Sequence, residues 1–190
     1  DNNFVRANTG RLYVQFQGSG GGTVNTTRGS WLSNWYHIGV SWDGSFARIY
    51  VDGSEEGNVS STALVFTNTI SSQFGVGALN VGTPQYFNGS LDEFKIYNRT
   101  LTKAEIVNEY QMMSYGSTEK DVSGTPAPDV PIAAWHFDDA SGATSAFDYF
   151  GDNQARISNA TKTTGVFGTE GMVFNKINAT LIVNNSPSIN

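Results

Sequence analysis

The sequence has no cysteine. Disulfides therefore cannot brace the fold, and a thiol nucleophile and a cysteine-built zinc site are both excluded. Basic residues are scarce. Eleven Lys and Arg stand against 17 Asp and Glu, and the net charge of -6 argues against nucleic acid and anionic membrane surfaces as partners. No apolar run approaches the roughly 20 residues of a membrane-spanning helix, so membrane insertion is not expected. No signal peptide remains at Asp1, so the chain reads as a mature or trimmed product. Proline is also rare. Of the 5 in 190 residues, Pro126, Pro128 and Pro131 crowd into one stretch, which marks it as a linker.

What is present reads as antiparallel sheet. Tyr36, Ile38, Val40 and Trp42 fall on one side of a two-residue period, as do Ala47, Ile49 and Val51. These are strands with one buried face. Asp43-Gly44 and Asp52-Gly53 stand where a hairpin needs residues tolerant of positive φ. Upstream, Leu12, Val14 and Phe16 alternate with polar neighbours after a turn at Asn8-Thr9-Gly10. Gly18 to Thr23 is a flexible loop; no Lys-Ser/Thr follows it, so it is no phosphate loop. Downstream, Leu64–Phe66, Phe74–Val81 and Leu91–Tyr97 read as further strands. Thr102 and Glu105 form a capping box ahead of a short helix whose apolar face is Ile106, Val107 and Tyr110.

Four of these motifs carry a family resemblance. Trp35–Gly39, Tyr50–Gly53, Leu79–Gly82 and Leu91–Tyr97 resemble, in order, the C-terminal half of laminin G-like domains in the concanavalin A-like jelly-roll superfamily. Residues 132–190 resemble the other half. Ile132–Asp139 is similar to the family's opening strand. Gly165–Gly168 with Gly171–Phe174, then Thr180–Val183, match the runs that follow it. The resemblance implies an all-β jelly-roll sandwich of two antiparallel sheets with one short helix. Its halves come in inverted order: residues 1–116, a linker at 117–131, then 132–190. The family's central strand, expected between Ile189 and a new Phe4, is missing.

Neither half is expected to be stable alone, because separated strands expose apolar surface and open edges. Three arrangements answer this. The halves can close on each other within one chain. They can complete neighbouring copies head to tail by strand exchange, making filaments. Or the chain is one repeat of a longer tandem array.

Catalysis is not expected. Glucanases of this superfamily need two carboxylates facing one another, and the acidic pairs here, Glu55-Glu56, Asp92-Glu93 and Asp138-Asp139, are adjacent residues. On a strand, neighbours point to opposite faces. No nucleophile elbow supports a Ser-His-Asp triad, and His37 and His136 read as packed or surface imidazoles. The resemblance implies a structural calcium ion at Asp92 and Asp138 with Asp148. It also implies aromatic platforms for a ligand, with Trp31, Tyr86 and Tyr149 as candidates in loops. Asn-x-Ser/Thr acceptors stand at Asn25, Asn58, Asn88, Asn98, Asn159, Asn178 and Asn184, as in a glycosylated surface protein. The expectation is a non-enzymatic extracellular protein. It is either an adhesive or filament subunit whose main partner is itself, or a calcium-dependent module that binds carbohydrate or protein.

Overall fold

The computed structural model describes residues 4–8, 11–15, 22–27, 29, 34–60, 74–76, 78–79, 85–115, 131–140, 142–151, 153–166, 170–175 and 177–183. Trp31, Asn184, the expected strand Leu64–Phe66 and linker residues 117–130 lie outside these. The chain is all-β of the jelly-roll class, with antiparallel sheets and, among the described residues, one helix, and it divides into two compact units.

The first unit comprises residues 1–66 and 99–129. β1 (Phe4–Asn8), β2 (Arg11–Gln15) and β3 (Thr23–Asn25) form one sheet in that order. β3 begins at Thr23, where the expected loop ends; Val24, buried at its centre, supplies the reason it pairs. β4 (Ile38–Trp42), β5 (Phe46–Val51) and β6 (Ser54–Ser60) form the second sheet. The turn between β5 and β6 has Asp52 at φ 50 and Gly53 at φ 74, the two left-handed residues that a tight hairpin demands. Val14, Val24, Ala47, Ile49 and Val51 make the core, with Tyr36, Trp42 and Val59 packed on it.

β4 departs from its expectation in one respect. Ile38 is opposite Val51 and Val40 opposite Ile49, both buried, but on β4 itself the buried residue is Ser41, on the face that Gly39 presents to Ile106 and Tyr50. Ile38 and Val40 stay 37% and 41% exposed. β4 ends the order β4-β5-β6, and a strand at a sheet end is covered on fewer sides.

α1 (Lys103–Tyr115) begins with the expected cap. The Thr102 amide donates to Glu105 Oε2 at 2.6 Å, and the Glu105 amide donates back to Thr102 Oγ1 at 3.3 Å. Ile106 is buried against Gly39, and Val107 and Tyr110 approach Gly53. The buried side is less apolar than the sequence implies, since Asn108 and Glu109 are buried too.

The second unit comprises residues 67–98 and 130–190. From its first piece come β7 (Phe74–Val76), β8 (Ala78–Leu79), β9 (Gln85–Tyr86), β10 (Asn88–Leu91) and β11 (Phe94–Ile96). From its second piece come β12 (Ala133–Trp135), β13 (Ser145–Ala146), β14 (Ala155–Ser158), β15 (Thr161–Thr163), β16 (Gly171–Asn175) and β17 (Thr180–Val183). The two pieces interleave in three ladders. β11 pairs with β12, β10 lies beside β16 in the order β10-β16-β15, and β7 closes the order β13-β14-β17-β7. The interior is large and aromatic: Trp135, Phe137, Phe174, Met172 and Leu181 are fully buried, with Phe94 5.9 Å from the Trp135 ring.

The expected single strand Leu91–Tyr97 is broken. β10 ends at Leu91, Glu93 takes φ 52, and β11 starts at Phe94. The break moves the chain from the β16 ladder to the β12 ladder. Asp92 stabilises the corner, accepting the Glu93 amide through Oδ1 and the Val166 amide through Oδ2. Phe137, at φ 63, makes the matching bend after β12. A bulky side chain in this region is uncommon, and burial of the ring holds it there.

A candidate ligand face on the second unit

The site forms where β12 leaves the sheet. Asp148 is 1% exposed, and its carboxylate is filled from four sides. Oδ1 accepts the Ala134 amide at 2.9 Å and the Phe150 amide at 3.1 Å. Oδ2 accepts the Asn153 amide at 3.2 Å and Asn153 Nδ2 at 2.6 Å. Burial alone would raise this carboxyl's pKa, but the donors from Ala134, Asn153 and Phe150 outweigh it, and the net shift is downward. The Tyr149 amide donates to Ala134 carbonyl oxygen, and Trp135 Nε1 donates to Asn153 carbonyl oxygen, each strapping the loop to β12. Gly151 makes room: a Cβ there would stand 2.8 Å from Asn153 Nδ2 and 3.0 Å from Asp148 Oδ2.

With Asp148 turned inward, its neighbours turn out. Phe147 is 51% exposed, Tyr149 54% and Phe150 42%. The Phe147 and Tyr149 rings are ordered by edge-to-face contacts. The Phe147 and Tyr149 centroids are 5.4 Å apart, and Tyr149 lies 4.3 Å from the His136 ring at 89°. His136 is itself fixed, with Nδ1 2.7 Å from both carboxylate oxygens of the nearly buried Glu93. The left-handed φ of Glu93 brings its carboxylate to this face. Asp139 Oδ1 accepts the Phe147 amide at 3.1 Å. Asp138 Oδ1 accepts the Glu170 amide, and Lys162 pairs with Glu170 at 3.3 Å while donating to Phe137 carbonyl oxygen. A depression of about 280 Å³ is lined by Gly142, Ala143, Ile157, Ala160, Lys162 and Met172. It is smaller than the pockets that enclose small-molecule ligands, so the exposed aromatic face is the stronger candidate.

The expected site residues are distributed unevenly. Tyr149 lies at the centre of the face. Tyr86 is half-buried in β9 rather than in a loop, so it is a packing residue more than a platform. Asp92, Asp138 and Asp148 each accept backbone amides, and Asp148 has no acceptor position left for a cation. Among the described residues no group of three or more acids or histidines is arranged to hold a metal ion. As placed, this donor set does not fit calcium. Asn25, Asn58, Asn88, Asn98, Asn159 and Asn178 are all exposed. The sequence reading missed Phe147, Phe150 and the Glu93–His136 pair. The run Phe147-Asp148-Tyr149-Phe150, with three aromatic residues around one aspartate, carried the signal.

A laminin G-like family model described as the concanavalin A-like lectin/glucanases superfamily matches residues 2–107. No match was found among curated proteins or among solved structures. No helix among the described residues is long and apolar enough to cross a membrane.

Proposed function

Because this chain belongs to the laminin G-like family of the concanavalin A-like lectin/glucanases superfamily, we propose that it is an extracellular, non-enzymatic adhesive module that meets its ligand on the Phe147–Phe150 loop. The observation that carries this reading is the pairing of exposure with rigidity. Aromatic side chains held outward by a buried carboxylate lose little freedom on binding, so more of the contact energy appears as affinity. A patch of exposed aromatic rings on a folded domain also marks an interaction site more often than chance exposure. The test is retention of the purified protein on an array of extracellular matrix proteins and glycans. Retention that falls at least about tenfold in Phe147→Ala/Tyr149→Ala supports the reading, a loss in the range expected for two aromatic anchors. Undiminished retention in the double variant removes it.

Assembly between copies is a second reading. Its support is that β7, β10 and β11 find their partners in β12, β16 and β17, far along the chain. Residues 132–190 of one copy can offer the same ladders to residues 67–98 of the next, head to tail, without any new contact. Light scattering of the purified protein decides it. Large assemblies support exchange, and a particle near 20.5 kDa removes it.

A further inference from the structure

Resting on the reading of the Phe147–Phe150 loop as the ligand face, we propose that its partner is a basic protein segment, with an arginine or lysine side chain seated against Tyr149. Three observations converge. The first is aromatic. Tyr149 and Phe147 are half exposed and fixed edge to face, and an exposed tyrosine or phenylalanine ring attracts a cation placed within about 6 Å of its centroid.

The second is charge. Residues 132–154 contain four aspartates and no lysine or arginine, in a chain of net charge -6. Asp139 lies at the foot of Phe147 and holds its amide, and Asp138, next to it, is exposed. Glu93 lies behind His136 on the other side of Tyr149. The nearby Lys162 is already held by Phe137 carbonyl oxygen and Glu170. Two further basic side chains lie on the neighbouring strands: Arg156, exposed on β14 opposite Ser145, and Lys95, half-buried on β11 opposite Ala134. A face with this balance steers cationic partners inward and anionic ones away.

The third observation is shape. Phe147, Tyr149 and Phe150 are 51%, 54% and 42% exposed, which leaves their rings open to a side chain from an extended protein segment. Arginine has the advantage over lysine, because its flat guanidinium stacks on a ring while its donors reach a carboxylate such as Asp139.

The experiment uses the full chain and fluorescence anisotropy with four probes: an arginine-rich peptide, a lysine-rich peptide of equal length, a glutamate-rich peptide and a neutral oligosaccharide. The proposal expects binding in the order arginine, lysine, then neither of the others, weakening as salt rises. Tyr149→Ala should weaken arginine-peptide binding about five- to tenfold, in the range of a partly desolvated cation–π contact. Arg156→Glu should tighten it, whereas loss of an aromatic ring alone cannot produce a gain. Melting temperatures matching the parent confirm that both variants fold. The oligosaccharide binding through Tyr149, with no peptide bound, overturns the basic partner yet keeps the ligand face. Binding of the acidic peptide at least as tight as the basic one overturns the proposal. Undiminished binding of every probe in Tyr149→Ala overturns this inference, and the ligand face itself falls only if Phe147→Ala/Tyr149→Ala also binds undiminished.

Discussion

The first unit's core comes from strands that are near neighbours in sequence and is filled by small aliphatic side chains. The second unit's core comes from two pieces separated by the stretch that continues from β11 through α1 to β12, and is filled by Trp135, Phe137 and Phe174. Each sheet of the first unit is a meander of consecutive strands, so each ladder closes a short loop. In the second unit β11 finds β12 and β10 finds β16 only after a long loop is closed, and large buried rings offset that entropic cost. The two units also use charge differently. The first places its ion pairs at the surface, as with Arg48–Asp43 and Arg99–Glu105. The second buries Asp148 and surrounds it with amides. Proximity along the chain thus lets one core be modest, and distance obliges the other to be heavy.

The strongest way to break this comparison is Trp135→Ala. It removes a fully buried ring that packs on Phe94 and bonds Asn153, and should cost about 3–5 kcal/mol. Hydrogen exchange should show protection lost in β11, β12 and β16 and retained in β4 and β5. Equal loss in both units would show that they melt as one body.

Asp148→Ala comes next. It leaves the amides of Ala134, Phe150 and Asn153 without their acceptor inside the unit, for about 2–3 kcal/mol. Denaturant titration measures the cost. The same variant should also free the aromatic loop and weaken whatever binding Phe147 and Tyr149 provide; an unchanged affinity would separate the anchor from the ligand face.

The first unit's counterpart is smaller. Thr102→Ala deletes half of the capping box, at about 1 kcal/mol. Its partner Glu105 is held at a pKa of about 2 by the side chain of Arg99 and by Thr102, below the ordinary 4.5. A carboxylate with a depressed folded pKa contributes fully above its unfolded value, and the contribution is lost as pH falls through the folded one. The Glu105 contribution should therefore disappear between about pH 4.5 and 2, with Asp148 following in the same acidic direction in the second unit. A melting temperature that rises on acidification through this window would contradict both assignments. The smallest effect expected is from chelation. Asp92, Asp138 and Asp148 already hold backbone amides, so EDTA should move the melting temperature by no more than about 1 °C, well under the shift that a 1 kcal/mol change produces. A larger fall would restore calcium.

Much of the frame was legible because it is periodic. The alternation of residues 36–42 and 47–51, the Asp52-Gly53 turn and the Thr102–Glu105 cap each rest on local chemistry, and each is found where local chemistry places it. The jelly-roll class followed from motifs in order. The site was less legible because it is built from departures. A period-two pattern runs straight through Leu91–Tyr97 and gives no sign that Glu93 turns left-handed, since glutamate has no preference for that conformation. The His136–Glu93 pair joins residues 43 apart, which no local rule connects. Asp148 was expected as a cation ligand from the family resemblance, but its oxygens meet amides instead, because the backbone folded around a carboxylate decides what it meets. Ile38 and Val40 show the remaining limit: pattern assigns a face, not what covers it.

The interleaving of residues 88–96 with 133–135 and 171–175 has a consequence during synthesis. When Ile96 leaves the ribosome, its partner Ala133 has not yet emerged, and at about 5–20 residues per second the wait lasts on the order of a few seconds. Through that interval Leu91, Phe94 and Ile96 are available to any chaperone, or to another nascent chain on the same message. The layout that finishes the second core so late thus sets a translational window in which a neighbour can claim the strand first.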